Sequence, residues 1–402
     1  MKFRKDTWLI ALVTVLLGSC ELLGIGGDDE KSSEKGLPKL VWTKKEVGRS
    51  AAPLVDHNSA YLLGIGELIK LNPETGEEYW STPVHEIWDP APLRPFIQSK
   101  KRLFAHFGES IRAWNKTNGS VAWTFSTGLE GPFFSGDSIA VRFSEIAQSA
   151  DRLFVGVKNE VVAISKADGS VDYRITLKKL ASDSIQQKTF SPVVSVGPNP
   201  VLYVPTIFQE NGVGGNLFGY DAKTGEQLFA FKMHELLEDT VQSPYFIEDI
   251  GISGDKLILL INYSLVAVNR FTGELIWSTE KAYTSSIYVE NKSIFTSGFA
   301  DLYRFDANSG QLIWHIEGQS INLSTQVLIK EDRLYRNLIS PFSSRVQILD
   351  VKNGAVLKAI NASAFQQTEP FLSFPNSIAV YDNYLITQND LNTYGIKFDK
   401  DK

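Results

Sequence analysis

A single cysteine, Cys20, stands among 402 residues, so no disulfide can form within the chain. The same lack excludes a multi-cysteine zinc or iron–sulfur site. Histidine is scarce as well. His57, His85, His106, His234 and His315 form no H-x-x-x-H pair, and His85-Glu86 lacks the second histidine of a zinc-peptidase helix. Gly-x-Ser-x-Gly and the phosphate-cradling P-loop are missing. Gly64-x-Gly66 and Gly212-x-Gly214-Gly215 open no evident helix, which leaves nucleotide binding without support. A basic surplus is also lacking, since the net charge is −6. Nucleic acid is therefore an unfavourable partner, because phosphate contacts normally need a basic face. Two methionines beside 30 glycines and 16 prolines point away from helical bundles and toward strands and turns. An aromatic content of 11% excludes disorder as the main state.

The apolar run Trp8 to Leu17 follows a short basic region, Lys2, Arg4 and Lys5. At about ten residues it is too short to cross the ~30 Å hydrocarbon core of a bilayer as a helix. It ends in Leu17-Gly18-Ser19-Cys20, which resembles the lipobox of bacterial lipoproteins. That resemblance implies cleavage before Cys20, thioether lipidation of its sulfur and acylation of the new amino group. The alternative is an ordinary signal peptide with an incidental cysteine. Glu21 to Gly36 is rich in glycine, serine and charge and reads as a flexible tether of ~20–24 Å. The expected organisation is a signal peptide over 1–19, an anchor and tether over 20–36, and a folded domain over 37–402. Glu21 is not the aspartate associated with inner-membrane retention, so the expected location is the outer membrane, on its periplasmic side or at the cell surface.

A repeat runs through the rest of the chain. LNPETGEEYW (71–80), YDAKTGEQLF (220–229), VNRFTGELIW (268–277) and FDANSGQLIW (305–314) are its clearest copies. Aligned on Gly76, Gly119, Gly169, Gly225, Gly273, Gly310 and Gly354, the copies lie 37 to 56 residues apart. Five residues before each glycine the side chain is apolar. Four before it stands Asn, Ser or Asp, whose side chain starts a turn by accepting from nearby backbone amides. The glycine then supplies the positive-φ position that closes a hairpin. Four residues later come Trp80, Trp123, Tyr173, Phe229, Trp277 and Trp314, with Lys358 the exception. Upstream of each turn lie further strand-like runs, such as Leu103–Phe107 and Leu257–Ile261. Four strands per ~45 residues is the content of a propeller blade.

Asp-x-x-Thr-Gly-x-x-x-Trp resembles the tryptophan-docking repeat of PQQ-like β-propellers. In that family the ring packs against the next blade, which implies a structural role for each repeat aromatic here. The fold expected is all-β: one propeller of four-stranded blades, eight in number. Ile378–Val380, Tyr384–Ile386 and Tyr394–Phe398 give only three strands for the last blade. Pro38-Lys39-Leu40-Val41-Trp42-Thr43 resembles Gly273–Ser278 without its glycine, so Trp42 is expected on a fourth strand beside Tyr394–Phe398, closing the ring with a hybrid blade. Blade three fits worst, with Asp172 where other copies are apolar.

Quinoprotein dehydrogenases share this repeat, but they carry adjacent cysteines, a calcium site and an aspartate base. None of these can be placed on a matching motif here. No catalytic residue, cofactor or metal is therefore expected. What remains is a binding surface made of variable loops. Residues 126–147, with Phe133, Phe134 and Arg142, are the candidate partner surface; 174–190, 206–216 and 231–242 are further departures, with a short helix expected in the first and the last. In plan the chain is similar to the lipoprotein accessory subunits of the bacterial outer-membrane β-barrel assembly machinery. This resemblance implies a monomeric, membrane-tethered scaffold for membrane-associated proteins, including barrel-assembly components. A PQQ-dependent oxidoreductase and a carbohydrate- or ligand-binding surface lipoprotein are the alternatives.

Overall fold

The computed structural model describes residues 37–45, 51–64, 66–84, 96–107, 110–126, 146–157, 160–177, 188–189, 192–195, 197–209, 213–233, 247–261, 263–279, 286–298, 301–318, 327–339, 344–365, 378–389 and 392–399. Every sheet is antiparallel, and outside blades 4 and 8 each is built from strands adjacent in the chain. The second strand of a blade is buried without alternation because both its faces are covered. Ser59–Leu63 is buried at all five positions, and Lys256–Ile261 at all but the first. The fourth strand lies at the edge and alternates, as in Val121–Ser126, where Trp123 and Phe125 are the buried positions.

Eight such sheets form a ring. Blade 1 spans Leu54–Asp56 to Glu78–Pro83, blade 2 Phe96–Gln98 to Val121–Ser126, and blade 3 Ala147–Gln148 to Val171–Thr176. Blade 4 ends with Gln227–Lys232, blade 5 with Leu275–Ser278, blade 6 with Leu312–Ile316 and blade 7 with Val356–Asn361. First strands of neighbouring blades touch: Ile247–Ser253 lies against Ser286–Glu290, and Leu54–Asp56 against both Phe96–Gln98 and Ile378–Tyr381. They therefore line the axis, and the fourth strands form the outer rim.

Blade 8 is the hybrid. Ile378–Tyr381, Tyr384–Gln388 and Thr393–Lys397 are completed by Lys39–Lys44, with Trp42 opposite Gly395 and Thr43 opposite Tyr394. The two ends of the propeller are thus hydrogen-bonded in one sheet, which removes the open edges a linear array would leave. Blade 4 departs from four strands. Its first position is split into Lys188–Thr189 and Val193–Val194, both paired with the long strand Val201–Gln209.

The turn glycines hold φ between +70° and +79°, a region closed to most side chains. Around each of them the hydrogen bonds repeat. Gly76 N donates to Asn72 O at 2.9 Å, and Asn72 N to Glu77 O at 2.8 Å. The Asn72 side chain accepts from Glu74 and Thr75 amides, as Asp221 does from Lys223 and Thr224, and Asp306 from Asn308 and Ser309. Hydrogen bonds to these exposed carboxylates hold Asp221 and Asp306 below the usual aspartate range; the first-ranking donors are the Lys223 amide and the Ser309 hydroxyl. Between blades the core divides into eight apolar seams; that between blades 7 and 8 contains Tyr335, Ile348, Tyr394 and Phe398.

Candidate functional site

The repeat aromatics sit in the seams. Trp42 lies flat over Gly395 of its own blade and beneath Gly76 of blade 1, where a Cβ would stand 2.6 Å from its ring. Trp80 occupies the same place beneath Gly119, Trp123 beneath Gly169, Tyr173 beneath Gly225, Trp277 beneath Gly310 and Trp314 beneath Gly354. Each polar edge finds a backbone carbonyl three residues before that glycine. The indole N–H of Trp42 donates to Pro73 at 3.0 Å, those of Trp80 and Trp123 to Lys116 and Lys166, and those of Trp277 and Trp314 to Ala307 and Val351. Tyr173 uses its hydroxyl on Ala222 at 2.8 Å, and burial pushes that phenol up to about 12.

Two positions deviate for physical reasons. In blade 4 the ring beneath Gly273 is Phe231; Phe229 sinks over Gly219, which has no Cβ to resist it, and stacks on Phe231 at 4.4 Å. In blade 7 Lys358 has no ring, yet its amine donates to Asp399 O at 3.2 Å across the seam. Asp172, the misfit of blade three, accepts from Arg152 Nε at 2.6 Å on the second strand. These side chains are committed to holding the ring together, so any recognition surface lies on its faces or rim.

The two faces differ. One carries the first-to-second turns and the glycine turns, which repeat the same hydrogen bonds from blade to blade. The opposite one carries the second-to-third hairpins and the blade-to-blade connections. Those connections run from 279–285, the shortest, to 127–146, the longest, so this face absorbs nearly all the variation in repeat length. The chain leaves blade 2 here at Ser126 and re-enters at Ala147. Phe133, Phe134 and Arg142, and the short helices expected near 180 and 235, lie outside the described residues, as does Cys20.

Sequence reasoning missed two features of this face. Tyr263 is half exposed at the hairpin between Ile261 and Ser264, with φ of +65°, where glycine or asparagine is the usual occupant. An aromatic side chain held there costs about 1 kcal/mol or more relative to glycine. Under blades 6 to 8 the ends of the second strands are polar although buried: Thr296 and Ser297, Arg336 and Asn337, Thr387 and Gln388. The corresponding residues of blades 1 and 5 are Leu62 and Leu63, and Leu259 and Leu260. Arg336 donates to Gln347 Oε1 at 2.9 Å, and burial lowers its pKa to about 10, with Arg345 adding to the effect and Asp301 opposing it. At neutral pH it is a buried cation close to this face. Nearby, Asp301 accepts from Gly318 N at 2.8 Å and from the Tyr303 hydroxyl at 3.1 Å, and the Tyr303 ring stacks on His315 at 4.3 Å. Among the described residues no three His, Cys, Asp or Glu side chains converge to hold a metal ion, and no helix is long and apolar enough to cross a membrane.

A family model described as outer membrane protein assembly factor BamB matches residues 38–226 and 213–373. Among solved structures, BamB from Moraxella catarrhalis superposes with a TM-score of 0.62 at 10% identity, covering 90% of this chain and all of that one. Sqt1 of Saccharomyces cerevisiae gives 0.60 at 10% identity over 89% of this chain and 98% of its own, and the Dos1 propeller 0.61 at 11% over 90% and 95%. At these identities the likeness is one of fold. No curated protein matches by sequence alone. On the strength of the family match across both halves of the ring, the chain belongs to the family of outer membrane protein assembly factor BamB.

Proposed function

We propose that this chain is a non-catalytic, lipid-anchored scaffold that binds proteins at the outer membrane and serves there in the assembly of β-barrel proteins. One observation carries the reading: the repeat residues are spent on blade docking, while the variable connections gather at one face of a closed ring. Such an arrangement suits partner docking, with a rigid disc presenting irregular loops. Family membership supplies the link to outer-membrane assembly. In this reading residues 1–19 are removed, Cys20 carries the acyl chains, and 20–36 tether the propeller of 37–402. Tethering raises the local concentration of the disc near membrane-bound partners, so modest contacts suffice for occupancy. The partner surface comprises the connection between blades 2 and 3, with Phe133, Phe134 and Arg142, together with Tyr263.

A crosslinking pull-down from membranes tests the proposal. Recovery of β-barrel assembly proteins is the expected result; recovery of none of them, from cells in which the protein is abundant, would refute it.

A further inference from the structure

The outer rim is not uniform. The two residues that precede the docking position on the fourth strand are Glu78-Tyr79, Val121-Ala122, Val171-Asp172 and Gln227-Leu228 in blades 1 to 4. Each pair holds one large apolar side chain at most. In blades 5, 6 and 7 both are aliphatic: Leu275-Ile276, Leu312-Ile313 and Val356-Leu357. All six are 41–53% exposed, and blade 8 continues the band with Val41. Most of the large exposed hydrophobic side chains in the described part of the chain lie on fourth strands. Exposed aliphatic pairs repeated on three neighbouring blades concentrate apolar surface on one arc of the rim, and such concentrations mark contact with a partner or a membrane.

Two observations select the occupant. The chain that precedes the propeller enters it at Pro38, directly before Lys39–Lys44, the outermost strand of blade 8. The expected tether, Glu21 to Gly36, is thus attached on blade 8, between blades 7 and 1, where Val41 ends the aliphatic band, with a reach of ~20–24 Å. The band also carries little charge: its three pairs are preceded by Glu274, Gln311 and Ala355 and followed by Trp277, Trp314 and Lys358, one acid and one base in all. Aliphatic side chains without a basic frame favour the interface of a zwitterionic bilayer over an anionic one.

We propose that the rim of blades 5 to 7 is a membrane-contact surface, on which the disc stands edge-on in the headgroup region of a phospholipid bilayer. This rests on the lipid-anchored reading above. In that posture the rim enters deepest at blade 6, the middle of the three, and the connection face stands at a steep angle to the membrane, open to proteins embedded in it.

Site-directed quenching tests this. Full-length protein, processed and acylated in its host, is prepared with one added cysteine: Ile276→Cys, Ile313→Cys or Leu357→Cys on the band, and Val121→Cys or Val171→Cys on the far rim. Each cysteine is labelled with an environment-sensitive dye, and the protein is reconstituted on phosphatidylcholine vesicles carrying a spin-labelled lipid. The expected result is several-fold stronger quenching at 313 than at 121 or 171, with 276 and 357 between. Equal quenching at all five positions on anchored protein overturns the rim proposal and leaves the anchor standing. Protein that stays off the vesicles overturns both. Disulfide-linked dimers through position 313 overturn it as well, because a second copy is then the occupant.

Discussion

Replacing Trp42 with alanine should damage the ring more than any other change to a single fourth-strand residue. The side chain is 8% exposed and has three jobs. It covers Gly395 within blade 8, fills the space beneath Gly76 of blade 1, and donates from its indole to Pro73 O at 3.0 Å. Truncating a buried tryptophan costs about 3–5 kcal/mol through lost burial and the cavity left behind. The interface affected is the one that joins the two ends of the propeller. Trp42→Phe separates the parts, since it keeps most of the ring and removes the donor, for an expected loss of about 1 kcal/mol. Tyr79→Ala serves as the control: Tyr79 is 48% exposed on the rim, where substitutions usually stay within about 0.5 kcal/mol. Urea unfolding followed by circular dichroism should place the midpoints in the order Tyr79→Ala, Trp42→Phe, Trp42→Ala, with the last well below the others. A Trp42→Ala protein that unfolds together with Tyr79→Ala would refute closure of the ring through the N-terminal strand.

Further expectations follow from the same geometry. Gly310→Ala should lower stability by about 1–2 kcal/mol from its φ of +70° alone. The new methyl must also displace Trp277, so the measured loss of denaturation midpoint should exceed that figure. Tyr173→Phe removes the bond to Ala222 and should cost about 1 kcal/mol. The difference between wild-type and Tyr173→Phe phenol absorbance should titrate only near pH 12, because burial raises that group. Asp221 and Asp306 have folded pKa values below those of the unfolded chain, so their stabilisation is present above about pH 4 and is lost as pH falls through the folded values. Both lie partly exposed at the surface, where solvent screening keeps the effect small. Asp306→Asn, which keeps the turn acceptor used at Asn72 and Asn269, should fold normally and flatten the acid limb of a stability-against-pH curve.

The ring was legible in the sequence because its parts recur. Seven turns of one pattern expose the columns, and the last three strands without a partner made Trp42 the natural fourth strand of blade 8. Phe231 was hidden from this reading. The column two residues beyond the docking position also holds Phe125, Ile175, Ile316 and Ile360, so either phenylalanine of blade 4 satisfied the pattern. Only Gly219, a missing Cβ on the neighbouring strand, decides between them, and that is a cross-strand fact. The exchange of Trp for Lys358 is similar: a flexible amine crosses the seam to the Asp399 carbonyl without a ring, which no pattern of residue types conveys. Asp172 became intelligible once Arg152 was seen on the same sheet. The unusual backbone at Tyr263 could not be read: Asn262 signals a turn after Ile261, but no glycine or asparagine marks the next position, where φ is positive. The aliphatic band was visible in the repeat alignment, but its exposure depended on knowing that the fourth strands face outward.

The claim that partners dock on the connection face can be tested most directly by photocrosslinking in intact cells. A photoreactive residue is placed at Tyr263 on that face, and in parallel at Asn308 and Lys352 in glycine turns of the opposite one. Efficient capture of outer-membrane assembly proteins from position 263, with little from 308 or 352, is the predicted result. Equal capture from both faces, or capture only from the glycine turns, would contradict it.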